Sequence, residues 1–268
     1  MEKNQTESMF KYRFVWLMGV IGLFGSIAYT IYFNEWLYWL ASYLYFRLLW
    51  MFTNQVGLHK YFSHRTFKTG PKRHKFLAWV TVLGGVGSPF TWTIHHRHHH
   101  RYSDTEYDLH SPHDSKYRAI TGTWAIKSTD WWVNVKGVKT LPKDLMRDKT
   151  VMFIHHNYYK FWFVLFFVTL LLDYKFCLFF IMQPVGLNLL HGALTNFFNH
   201  MTIPGSYRNF NTDDTSQNNK FIHWYLLGEG LHNNHHANPG DYNNAYKPNE
   251  FDFSGWVIQK FFIVNDKA

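Results

Sequence analysis

The sequence predicts an all-α membrane protein: four transmembrane helices arranged as two hairpins and capped by a cytoplasmic helical domain. Three observations carry this reading. Four apolar stretches are joined in pairs by very short turns. The basic residues gather on one side of those stretches. Histidines, 18 among 268 residues, cluster at helical spacing just beyond the ends of the apolar stretches.

The first apolar stretch, residues 14–33, contains no charge, and the second, 36–58, carries only Arg47. Asn34 and Glu35 between them leave room only for a helical hairpin. The third stretch, 156–173, centres on FWFVLFFVTLLL, and the fourth is 176–199; Asp173, Tyr174 and Lys175 form the turn. A bilayer crossing takes about 20 mostly apolar residues, so the third stretch must draw on its flanks. Lys3, Lys11 and Arg13 precede the first span, and residues 60–160 are rich in Lys and Arg. The two short turns contribute only Glu35, Asp173 and Lys175. The positive-inside rule then places both termini and the cap, 59–155 and 200–268, in the cytoplasm, beneath a bacterial inner membrane or the endoplasmic reticulum. The whole chain, 1–268, reads as one multi-pass domain. Residues 76–94 are also apolar, but Gly84, Gly85, Gly87 and Pro89 make a continuous helix costly. They predict a re-entrant or interfacial segment.

Composition narrows the function. The formal charge of +9 flanks apolar segments and does not fall on one binding element, which points to lipid and away from nucleic acid. A single cysteine, Cys177, excludes a disulfide framework and thiolate-ligated zinc or iron–sulfur sites.

The histidine clusters carry the chemistry. His59 and His64 follow the second span as H-x4-H; on an ideal α-helix they sit about 140° apart, so the helix must end or distort for them to share a metal. HHRHHH, 95–100, offers three imidazoles at i, i+3, i+4 in two registers, His95/His98/His99 or His96/His99/His100. His232, His235 and His236 repeat the same spacing. Asn196 and His200 form a polar pair at the end of the last span, where an unpartnered polar group is expensive. Imidazoles suit Fe, Cu, Ni or Zn, and nine exceed what one ion can hold. Two metals are implied, at a membrane face and beside apolar helices, an arrangement suited to oxygen chemistry on a lipid-like substrate.

These motifs resemble the membrane fatty acyl desaturases, especially the acyl-CoA (stearoyl-CoA, delta-9) branch. GLHKYFSHRTFK looks like that family's first box, HHRHHHRYSDTEYDLH its second and GEGLHNNHHANP its third. DKTVMFIHHNYYKFW, NFFNHM and YRNFNTDDTSQNN are similar to its intervening stretches, so the likeness runs from about Leu58 to Val264 in order and spacing. The resemblance implies two irons. One would be held by His59, His64, His96, His100 and His235, the other by His99, His200, His232 and His236, with Asn196 reaching it through water. Lys116 and Arg118 are the nearest candidates for the family's CoA-phosphate contacts. Lys60 stands where the family has arginine, and His95 and His98 are additional.

The resemblance further implies a cis double bond, of the delta-9 kind, placed in a saturated acyl chain with O2 and two electrons. Acyl-CoA is the first candidate carrier, then acyl-lipid or acyl carrier protein. No flavin or nicotinamide fingerprint and no His-Pro-Gly-Gly heme motif occurs, so a cytochrome b5-like or ferredoxin-like donor is expected. The rival readings are a hydroxylase with the same metal centre and, further off, a non-enzymatic metal carrier. Of the remaining histidines, His110 and His113 read as neighbours of the ligands. His74, His155, His156 and His223 read as surface or interfacial groups, and His191 as a partner for another helix.

Overall fold

The computed structural model describes residues 2–123, 137–138 and 141–263. Parts of the expected cap, 124–136 and 139–140, and the terminal residues Met1 and 264–268 lie outside the described residues. The chain is mostly helical, and among the described residues the strands form one two-stranded antiparallel ribbon, β1 (Ser206–Tyr207) with β2 (Asn218–Asn219).

Helix α1 (Glu2–Phe33) turns at Asn34, whose φ of 58° lets the chain reverse at once into α2 (Trp36–Trp50). α2 passes directly into a π-helical stretch, Met51–Ser63. After α3 (Pro71–Val80) and a 3-10 turn, the chain bends by 80° into α4 (Pro89–Tyr102). The bend falls on the glycines that make a straight span costly: Gly85 and Gly87 both have positive φ. Ser88 then caps α4, accepting from Thr91 N at 3.2 Å, and Pro89 sits in its first turn. Two short helices follow, α5 (Lys116–Thr121) and α6 (Lys143–Met146). α7 (Lys149–Leu172) is capped by Asp148, which accepts from Thr150 N and Val151 N. Asp173 ends α7 and caps α8 (Tyr174–Phe176), and a π-helical turn, Cys177–Met182, leads into α9 (Gln183–Asn199). The cap closes with α10 (Ile222–Tyr225), α11 (His232–Ala237) and α12 (Phe253–Phe261).

Of the four apolar stretches, two form helices long and apolar enough to cross a membrane among the described residues, Arg13–Phe33 and Tyr174–Asn199. α2 stays regular for 15 residues before π winding sets in, and the first half of α7 carries His155, His156, Asn157 and Lys160. α1 packs chiefly along α9, across the two hairpins. Small residues make that approach: a Cβ on Gly186 would stand 2.2 Å from Gly19 O, and one on Gly22 2.3 Å from the Met182 carbonyl carbon. The two turns are tied together where Lys175 pairs with Glu35 and Tyr29 OH meets Tyr174 OH at 3.3 Å.

The cap is fastened to the helices by Lys60. Its ammonium is buried and donates to Tyr242 O at 2.8 Å, Ser254 Oγ at 2.7 Å and Asp252 Oδ2 at 2.5 Å. Asp252 also caps α12 by accepting from Gly255 N, so one ion pair holds α12 against the π-helical stretch. Lys60 is therefore a structural anchor that its place beside the first histidine did not disclose.

Candidate metal centre

Each histidine cluster is presented by a different backbone device. His59 and His64 lie on the π-helical stretch, where His64 N donates to His59 O at 3.1 Å, an i→i+5 bond. π winding takes more residues per turn than α winding, so position i+5 returns toward the face of position i. The two rings come to 5.1 Å between centroids, which an α-helix would not allow. This is the distortion that the H-x4-H spacing requires.

On α4, His96, His99 and His100 turn toward the first and third clusters. His95 and His98 are buried but belong to neither gathered group; His98 has Nε2 at 3.0 Å from Tyr107 O. They do not occupy solvent. α11 is short, and buried asparagines set its position. Asn233 Oδ1 accepts from Asn209 N and Phe210 N, each at 2.9 Å; Asn234 donates to Asn244 O at 2.8 Å and Glu250 Oε2 at 2.9 Å. His232, His235 and His236 are thereby aimed inward. His200 stands at the end of α9, with its Nε2 3.1 Å from that of His232.

Nine imidazoles form two groups, His59, His64, His96, His100 and His235 in one, His99, His200, His232 and His236 in the other. Within each group one nitrogen per ring lies within 4.8 Å of all the others. The groups adjoin, with the His100 and His236 centroids 4.3 Å apart. In the first, Nε2 atoms approach in pairs: His64 and His96 at 2.7 Å, His59 and His235 at 2.8 Å, His100 and His235 at 3.0 Å. Metal–nitrogen bonds of about 2.1 Å put neighbouring ligand atoms about 3 Å apart. Nitrogens aimed at one another repel unless a cation is shared. In the second group the Nε2 atoms of His99 and His236 are buried with no hydrogen-bond partner. Donor type, spacing and these orphaned atoms all fit two transition-metal ions.

Four carboxylates stand behind the rings. Nδ1 of His59, His99 and His200 lies 2.9 Å from Glu229, Asp108 and Asp104, and Nδ1 of His236 lies 2.5 Å from Asp214. An Nδ1–H held this way fixes the tautomer and points Nε2 into the site. The carboxylates also bring near the site the negative charge that an imidazole-only shell lacks. Burial pushes Asp104, Asp108 and Asp214 up, yet their histidine partners hold all three well below the usual carboxylate range. Burial, reinforced by neighbouring rings, drives His64, His96, His100, His232 and His235 well below the ordinary imidazole value, and holds His236 at about 4 despite Asp214. These rings are neutral at pH 7, the form that binds metal. For His99 burial pushes the value down, but the charge and hydrogen bond of Asp108, together with the charges of Asp104 and Asp214, more than offset it, and the value rises.

The other candidates are placed as follows. Asn196 donates from Nδ2 to His110 O at 2.7 Å and lines a cavity of about 170 Å³ beside the imidazoles. Val15, Trp16, Trp50, Leu189, Gly192 and Ala193 give that cavity its apolar wall. Lys116 and Arg118 sit on α5; Lys116 is exposed and Arg118 pairs with Asp114 at 2.5 Å. Ala119, on the same helix, lines the cavity. His110 packs on His99 at 4.4 Å, and His113 bonds Thr215 Oγ1 at 2.9 Å. His223 is buried, with Nε2 at 2.6 Å from Phe251 O.

The fatty acid desaturase family model matches residues 34–248. The chain belongs to the fatty acid desaturase family. The hex-5-enoyl-[acyl-carrier protein] acetylenase of Moorena producens (strain JHB) is 32% identical over 199 residues, 68% of this chain and 61% of that protein. Delta-9 acyl-lipid desaturase 1 of Arabidopsis thaliana is 28% identical over 210 residues (77% and 66%). Stearoyl-CoA desaturase 4 of Mus musculus is 29% identical over 201 residues (70% and 54%). This family member thus matches between about half and two thirds of the length of these curated relatives. Desaturases of this family are membrane-associated, which accords with the apolar helices beside the site.

Proposed function

We propose that this chain is an O2-dependent fatty acyl desaturase that places a cis double bond, of the delta-9 kind, in a saturated acyl chain. The observation that supports it most is the gathering of nine imidazoles into two adjoining buried groups beside an apolar cavity. His59, His64, His96, His100 and His235 would hold one iron, and His99, His200, His232 and His236 the other, with Asn196 acting through water. When bound, the iron pair supplies the O2-dependent oxidation that takes one hydrogen from each of two adjacent methylenes, with two external electrons and two protons completing two waters.

The chain's own residues do the rest. Glu229, Asp104, Asp108 and Asp214 orient four of the rings and offset metal charge. Val15, Trp16, Trp50 and Leu189 give the acyl chain an apolar bed that excludes water, and Gly192 and Ala193 leave room for it. Four spans with a cytoplasmic cap would put this bed at the membrane face, open to an acyl-CoA, acyl-lipid or acyl-carrier-protein substrate. The electrons would come from a separate donor of the cytochrome b5 or ferredoxin kind. Lys116 and Arg118, on the helix that contributes Ala119 to the cavity, are the candidates for an anionic carrier group.

A second reading, favoured by the 32% identity to an acetylenase, is oxidation of a chain that already holds a double bond. A hydroxylase is the third. Iron-loaded protein supplied with reductant, O2 and saturated or monounsaturated chains on each carrier separates them. The proposal expects a product two hydrogens lighter from a saturated chain. An alkyne only, an alcohol, or no product on any carrier would overturn it.

A further inference from the structure

The outer faces of α10 and α12 are aromatic where a water-facing cap would be polar. On α12 the buried side is Val257, Ile258 and, just beyond, Phe262, while Phe253, Trp256 and Phe261 face outward. On and beside α10, Phe221 and Trp224 are 69% and 62% exposed. Phe251 joins the two helices: its ring lies 6.2 Å from Trp224 and 6.4 Å from Phe253. Phe253 stacks on Trp256 at 5.6 Å, and Trp256 meets Phe261 at 6.1 Å. Trp224, Phe251, Phe253, Trp256 and Phe261 thus form one continuous ridge of exposed rings, with exposed Phe221 three residues before Trp224. Patches of this kind mark a contact surface.

Two features say what covers it. α2 exposes apolar side chains, Leu44 and Leu48, on the segment read as membrane-embedded. Arg47, on the same helix, donates to the Tyr225 carbonyl and lies 4.9 Å over the Tyr225 ring, which pins α10 at that level. α12 descends beside the π-helical stretch from Lys60, where Asp252 pairs, to Phe52, 6.3 Å from Phe262. Its outer face is thus carried toward the exposed leucines. Charge is distributed as a lipid interface requires: neither α10 nor α12 contains an acidic residue, Asp252 is buried, and exposed Lys220 and Lys260 stand near the two ends of the ridge. Trp and Phe at this level with flanking lysines match the interfacial belt of membrane proteins.

We infer that α10 and α12 lie in the headgroup region of the bilayer, with the ridge Phe221, Trp224, Phe251, Phe253, Trp256 and Phe261 seated among phospholipid acyl chains. The catalytic cap is then partly sunk into the leaflet. The single cysteine, Cys177, is buried, so introduced cysteines can be labelled against a silent background. Trp256→Cys and Phe221→Cys, with Lys143→Cys as the exposed cap reference, would each carry an environment-sensitive fluorophore in phosphatidylcholine vesicles. Phosphatidylcholine bearing a nitroxide near the top of its acyl chain should quench the ridge labels at least about twofold. Aqueous iodide should quench them several-fold less than the Lys143 label. Equal iodide quenching at all three sites would overturn the inference. So would ridge labels shielded from iodide yet untouched by the nitroxide lipid, since another protein surface would then cover the ridge.

Discussion

Asp108 shows how much of this centre rests on residues that ligate nothing. Its carboxylate is buried, accepts from Asp104 N at 3.0 Å, and holds His99 Nδ1 at 2.9 Å. Asp108→Asn keeps the shape but lets the amide present either a donor or an acceptor to His99, loosening the tautomer that aims Nε2 inward. Iron retention should fall about 10- to 100-fold, the usual effect of losing such a partner, read as iron content after dialysis against a graded chelator. At this scale the sequence was partly legible. The i, i+3, i+4 spacing on two segments marks imidazoles that share a face, but it leaves open which register of HHRHHH points inward. The four carboxylates carry no such signal. Asp104 reaches His200 across 96 positions, and Glu229 reaches His59 across 170. Only folding brings them together. Asn233 and Asn234 look like spacers between histidines, yet they fix α11.

Among the elements, the π-helical stretch does most to make the site. An ideal α-helix separates His59 from His64, and the sequence says that something must give there without saying what. The observed i→i+5 winding supplies the answer. Local sequence also specifies the bend before α4, because glycines with positive φ lead straight into a Ser-Pro helix start. The crossing of α1 with α9 was not legible. Short turns identify which helices are joined, but not which pack, and that depends on Gly19 meeting Gly186 and Gly22 meeting Met182 in space. Gly186→Ala would press a methyl against Gly19 O, whereas the nearest atom to a Cβ on Gly25 is 3.6 Å away. Gly186→Ala should cost about 1–3 kcal/mol as an overpacking change and lower Tm by several degrees. Gly25→Ala should leave Tm within a degree or so. Thermal unfolding in detergent, monitored by intrinsic fluorescence, distinguishes the pair.

For the molecule as a whole, the helices, the bend and the cap form an apolar cavity against the imidazoles, and the space available there should set which chains react. Gly192 faces Trp50, with 4.0 Å between its notional Cβ and the indole. Gly192→Phe should fill that wall, reducing turnover of the longest accepted chain about tenfold while retaining the shorter ones. A product profile across acyl lengths checks it; an unchanged profile would place the chain elsewhere. The mostly helical architecture and the membrane setting were legible from apolar stretches, turns and basic flanks. The interlocking of the hairpins and the aromatic outer face of the cap emerge only in three dimensions.

All of these scales meet in the claim that nine imidazoles hold two ions. The most direct test is the metal content of the full chain, purified from iron-replete cells through a chelator-containing column and measured by inductively coupled plasma mass spectrometry. Two iron atoms should be retained per chain. One atom or fewer, or metal that washes away in the chelator, would contradict that claim.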